Sequence, residues 1–134
     1  MPKPKTRSQL KKILDKEFSR FIRTRNIDEA GYDHCYTCQV RKHWSEVDAG
    51  HFVTRSAMST RWLESNVQFQ CKKCNGFRGG ESYLFGLQLD QDYGPGSADA
   101  IIVKSKQIYK YTLEELRELI EKYKDINRNV ESTF

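Results

Sequence analysis

The sequence predicts a small α+β fold, with a short-stranded centre organised by four cysteines and helices at both ends. Three observations carry that prediction. Apolar residues recur at helical spacing in both terminal segments. Two CxxC pairs, CYTC at 35–38 and CKKC at 71–74, account for all four cysteines. Between the pairs the pattern is short, rich in aromatic and β-branched residues and broken by glycine, as strands and turns are. A chain of 134 residues, 37% hydrophobic, is long enough for one modest core. We therefore expect a single domain over residues 1–134, made of a basic amphipathic helix (1–26), a zinc-stapled core (31–93) and C-terminal helices (97–130).

Taken in order, Ser8 is the expected N-cap of the first helix, in which Leu10, Ile13, Leu14, Phe18, Phe21 and Ile22 form the apolar face. Residues 27–34, IDEAGYDH, carry the turn signals of a loop leading to the first CxxC. Residues 44–54, WSEVDAGHFVT, suit a β-hairpin broken at Gly50, and 55–65 reads as a loop. NVQFQ at 66–70 alternates apolar and polar and leads into the second CxxC. A helix follows near 82–93, and GPGS at 94–97 stops it, with Ser97 placed to cap a short helix through ADAIIVKSK. Thr112 and Glu115 form a TxxE capping box for a last helix, whose stripe is Leu113, Leu116, Leu119, Ile120, Tyr123 and Ile126. Such stripes serve as core or as a dimer seam.

Two CxxC pairs supply the four thiolates that a tetrahedral Zn2+ needs, and in a reducing compartment they read as metal ligands rather than disulfides. Cys35, Cys38, Cys71 and Cys74 are the expected ligands. Thirty-two residues separate Cys38 from Cys71, more than the roughly 15–20 of a plain four-cysteine ribbon. Something is inserted between the knuckles, and that insert holds His51 and Asn66, with Asn75 directly after Cys74.

The net charge is +5, and it is unevenly placed. Within residues 1–25, nine basic side chains face only Asp15 and Glu17, a local net of +7. Lys11, Lys12 and Lys16 lie opposite the apolar stripe of the helix. A basic face of this kind is either the electrostatic footprint of a nucleic-acid binder or a solvated helix face. No apolar run approaches the roughly 20 residues of a membrane span, and MPKPKTRSQL lacks the apolar centre of a signal peptide. A soluble cytoplasmic protein is expected.

The motifs CYTC, AGHFVTR, the isolated Asn66 and CKKCNGFRGG followed by ESYLFGL resemble the HNH, or ββα-metal, endonucleases, and within them the NinG (Rap) recombination proteins of lambdoid phages. The resemblance covers roughly residues 31–124. It implies a treble-clef ββα-metal core with a closed structural zinc site and a separate catalytic ion, Mg2+ or Mn2+, completed by phosphate oxygens and water. By the same resemblance Asn75 offers its side-chain oxygen to that ion, His51 is the general base, and Asn66 orients His51 by a hydrogen bond. Many HNH enzymes place an aspartate or histidine directly before the base as a metal ligand. Here that position is Gly50, preceded by Ala49. Asp48 stands three residues before His51, where phage T4 endonuclease VII, with similar knuckles, has a histidine. It is the nearest candidate ligand.

Arg55 is expected to clamp a phosphate, since a guanidinium grips two phosphate oxygens at once. Arg61, Lys72, Lys73 and Arg78 would continue a basic track, while His34 and His43 receive no role. The function so implied is structure-specific nicking of branched DNA, a D-loop or Holliday junction, inside a bacterial host. The expected partners are branched DNA and a second copy of the chain through its first and last helices, with no membrane and no small-molecule substrate. The competing readings are a non-catalytic zinc-finger nucleic-acid binder and a structural partner in phage assembly.

Overall fold

Thr6 and Gln9, rather than Ser8, start the first helix. The Gln9 N–H donates to Thr6 Oγ1 at 3.2 Å and the Thr6 N–H donates to Gln9 Oε1 at 2.8 Å, a reciprocal capping box. Helix α1 accordingly spans Arg7–Thr24, and Ser8 falls inside its first turn. The computed structural model describes residues 3–131 and divides them into two compact units, one of residues up to 21 together with those from 111 onward, the other of 22–110.

In the first unit the early turns of α1 meet α5 (Leu113–Glu131). The TxxE box forms as expected, with the Glu115 N–H on Thr112 Oγ1 at 3.0 Å and the Thr112 N–H on Glu115 Oε1 at 2.9 Å. The helices run parallel: Arg7 donates to the Tyr111 carbonyl, Asn127 to the Glu17 carbonyl at 2.9 Å, and Arg20 pairs with Glu131 at 3.2 Å. Leu10, Leu14, Phe18, Leu116, Ile120 and Tyr123 are buried, and Phe18 meets the Tyr123 ring edge-on at 5.0 Å. These parts of the two stripes thus pack against each other within one chain.

The second unit begins with a turn built by Asp28, whose Oδ1 accepts the Ala30 and Tyr32 N–H groups. Strands β1 (Tyr32–His34) and β2 (Arg41–His43) then pair antiparallel, and CYTC is the turn between them. His43 accepts the Ser45 N–H at 3.2 Å and so caps a single 3-10 turn. Its role is structural.

Residues 44–54 are not a hairpin. They supply one strand, β3 (Val47–His51), whose partner is β4 (Val67–Cys71). Gly50 misled the pattern because it stands inside the strand rather than at a turn. A Cβ there would lie 2.0 Å from Gln70 Oε1, so the glycine is required by close approach. The connection expected as loop contains a short helix, α2 (Met58–Arg61). All five residues of β4 are buried, including Gln68 and Gln70, so its alternation does not leave a wet face.

After β4 the chain makes a wide turn over Lys73–Phe77, and Gly79, Gly80 and Glu81 all have left-handed φ, at 60°, 89° and 51°. Two of these three positions are glycines, the residue that adopts such φ without steric cost. Helices α3 (Ser82–Tyr93) and α4 (Ser97–Ser105) follow. Ser97 lies in the first turn of α4 and donates to the Gly94 carbonyl; the helix start is capped from α3 by Asp90, which accepts the Ala98 N–H at 2.9 Å. Phe85, Leu89, Ala98 and Ile101 form the core here, under Tyr36, Phe52, Val53 and Leu63. Arg25 closes the unit from inside, donating to the carbonyls of Glu64 and Val67 and to Gln68 Oε1. It is a structural cation.

Candidate functional site

The CYTC turn, the end of β4 and the wide turn bring Cys35, Cys38, Cys71 and Cys74 together, with all four Sγ atoms within 4.8 Å of one another. Cys38 and Cys71 sulfurs are 3.7 Å apart. Sulfurs around a tetrahedral zinc at 2.3 Å are about 3.8 Å apart, so the donor set and its spacing fit that ion. The Tyr36 N–H donates to the Phe69 carbonyl at 2.8 Å and holds the first knuckle on β4.

Proton affinities at the centre differ by position. Burial raises the Cys35 thiol, but hydrogen bonds from the Cys38 and Cys71 N–H groups and from Thr37 outweigh it and bring the thiol down to about 6. Burial pushes Cys74 up to about 12, and it raises Cys38 as well. Hydrogen bonding thus favours the charged form of Cys35, while burial disfavours that of Cys38 and Cys74.

Beside this centre, the turn places Asn75 against β3. Asn75 Nδ2 donates to Asp48 Oδ2 at 3.0 Å, and the Lys72 ammonium pairs with Asp48 Oδ1 at 2.7 Å. Two expected ligands of the second ion, from elements far apart in sequence, are thus joined. His51 stands three residues further along β3, roughly 10 Å by strand rise. Its Nε2 lies 3.0 Å from the Arg61 carbonyl. A carbonyl only accepts, so Nε2 donates its proton there.

Asn66 is fully buried and differs from its expected use. Its Oδ1 accepts the Val53 N–H at 2.8 Å, and its Nδ2 donates to the carbonyls of Val53 and Thr60, each at 3.0 Å. The amide therefore braces the segment after His51, next to the Arg61 carbonyl that fixes the imidazole. Its amide thus bonds backbone groups of Val53 and Thr60, where a bond to His51 was expected.

Gln70 was not marked by its sequence pattern. Its Nε2 donates to Thr37 Oγ1 at 3.1 Å and to the Gly80 carbonyl at 2.8 Å, linking β4 to the first knuckle and the glycine turn. Its Oε1 is buried against Gly50 without a hydrogen-bond partner. The side chain fills the space that a ligand at position 50 would need. The only sequence signal was a glutamine beside a cysteine ligand in a strand.

Among the expected DNA contacts, Lys72, Lys73 and Arg78 are exposed on the wide turn and Arg55 is exposed after β3. Arg61 donates to the Arg55 carbonyl at 3.2 Å. Lys11, Lys12 and Lys16 belong to the other unit, where Lys12 and Lys16 are exposed and Lys11 is half-buried. His34 is exposed.

Among the described residues, two small antiparallel sheets, five α-helices and four cysteines placed to hold zinc define a small α+β protein with a candidate metal centre. The chain belongs to the NinG family, for residues 2–132 match the family model described as Bacteriophage Lambda NinG protein. It is 29% identical over 120 residues to a "Protein ninG" of Escherichia phage 933W and equally to one of Enterobacteria phage VT2-Sa. Those alignments cover 89% of this chain and 57% of each relative, so the chain spans little more than half their length. No solved structure matches it. Among the described residues no helix is long and apolar enough to cross a membrane.

Proposed function

We propose that the protein is a structure-specific DNA endonuclease of the HNH, treble-clef type, nicking branched recombination intermediates such as D-loops or Holliday junctions. The observation that carries this reading is the junction of Asn75 with Asp48 beside the cysteine centre. The order β3, β4, then a turn anchored by Cys74 agrees with the ββα arrangement of the resembling nucleases. Membership of the NinG family, which is associated with phage recombination, supports a recombination intermediate as substrate.

In this reading zinc sits on the four cysteines as a closed structural ion and does no chemistry. Bound by Asn75 Oδ1 and Asp48, Mg2+ or Mn2+ would stabilise charge on the phosphate and the leaving oxygen. His51 Nδ1 takes a proton from the attacking water as the water oxygen bonds to phosphorus and the P–O3′ bond breaks. The Arg61 carbonyl keeps the imidazole in the tautomer able to do so. Arg55, Lys72, Lys73 and Arg78 meet phosphates near the cut, and Lys11, Lys12 and Lys16 add non-specific attraction.

One observation favours a second reading, a non-catalytic zinc-finger binder: Lys72 already neutralises Asp48. A gel assay separates the two. Purified zinc-loaded protein is incubated with a labelled four-way junction, a D-loop and a linear duplex of matched sequence, in Mg2+, Mn2+ or neither. Nicking of the branched substrates that requires the added ion supports the nuclease. Binding without nicking in every condition would leave only the binder.

A further inference from the structure

Phe77 is 96% exposed, although it belongs to a turn held by three backbone hydrogen bonds. The Arg78 N–H donates to the Lys73 carbonyl at 3.0 Å, the Gly79 N–H to Gly76 at 3.2 Å and the Gly80 N–H to Cys74 at 2.8 Å. The last bond ties the turn to a cysteine of the metal centre, and Gln70 holds it again through the Gly80 carbonyl. The phenyl group is thus presented to water on a braced support.

Its surroundings point to an occupant. From 71 to 80 the chain carries exposed Lys72, Lys73 and Arg78, of which Lys72 pairs with Asp48 at 2.7 Å and Arg78 lies 3.9 Å from Glu81. Asn75, two residues before Phe77, contacts Asp48 at 3.0 Å. An aromatic face among cations, next to a phosphodiester site, matches a nucleotide whose base is available for stacking. In a continuous duplex every base is already stacked on both sides. At the branch point of an open four-way junction, the form it takes without divalent cation, the terminal pairs are not.

Resting on the nuclease reading above, we infer that Phe77 stacks on an unstacked base at the branch point, while Lys73 and Arg78 hold the flanking phosphates. Phe77 is a specificity residue: it gives branched DNA a contact that linear duplex cannot return, and it sets where the strand lies relative to Asn75. Base identity matters little to it, because every base has a π-face.

The test compares the full chain, zinc-loaded and without added divalent cation, with its Phe77→Ala and Phe77→Trp variants. Binding is titrated to a four-way junction carrying 2-aminopurine at the branch and to a linear duplex of the same sequence. Phe77→Ala should bind the junction about tenfold more weakly with duplex affinity unchanged. The 2-aminopurine signal change should appear with the parent and Phe77→Trp and be lost with Phe77→Ala. Equal junction binding by Phe77→Ala and parent would overturn the inference and leave Phe77 to a protein contact; a parallel loss on junction and duplex would overturn it too. Cutting is scored separately with Mg2+ or Mn2+, so a parent that binds but does not cut removes the nuclease reading and leaves the stacking comparison intact. A parent that binds neither DNA removes both.

Discussion

The cysteine centre and the cluster beside it share the wide turn after β4, since Cys74 and Asn75 are neighbours, yet they are built on opposite physical terms. The centre draws four identical donors from a turn, a strand end and a second turn, and three of its four cysteines are buried. It is closed, and a metal there has no position left for substrate. The cluster draws unlike groups from a strand and a turn. Asp48 is about one-third exposed and shares its two oxygens between Lys72 and Asn75. The first arrangement suits a staple, while the second leaves room for exchange with water and phosphate.

The largest effect expected from breaking this comparison is on the staple. Removing zinc should unfold the region from Cys35 to Cys74, seen as loss of circular dichroism and of near-ultraviolet signal. A chelated sample with an unchanged spectrum would show that the knuckles hold without metal. The sign with pH follows from the raised thiols: protons on Cys38 and Cys74 compete with the ion, so zinc affinity should fall as pH falls and binding should release protons.

Next in size is His51→Ala, which should lower cleavage by about 10²–10⁴-fold, the usual share of a general base. Junction affinity and zinc content should hardly change, because the imidazole lies outside the cysteine centre. Retained turnover would remove His51 from the base role.

A smaller effect is expected at Gly50. Gly50→Asp would place a carboxylate where many of the resembling HNH enzymes carry a ligand, but its Cβ would meet Gln70 Oε1. Overpacking of this kind should destabilise by about 1–3 kcal/mol in a urea titration. Pairing it with Gln70→Ala should recover part of that loss. A single variant as stable as the parent would mean that Gln70 can swing aside.

How much of this was legible in the sequence follows the same division. The four cysteines could be read because one residue type at two fixed spacings leaves few alternatives. Helix α3 and the α5 capping box were legible from local patterns, as were the apolar stripes of α1 and α5. The β3–β4 pairing was not, because Gly50 has the same local signature whether it makes a turn or admits a side chain across the sheet. Asn66 was singled out, but its partners, Val53 and Thr60, depend on how the 52–66 connection folds back. Gln70 escaped notice for a related reason: its use lies in Thr37 and Gly80, brought near only by the tertiary fold.

The two-centre account is tested most directly by metal analysis of Asn75→Ala. Zinc per chain is measured by elemental analysis, and Mn2+ binding by paramagnetic resonance in the presence of uncut junction. The account predicts one zinc retained, as in the parent, together with loss of the junction-dependent Mn2+ signal. Unchanged Mn2+ binding would contradict it, since Asn75 would then be only part of the turn.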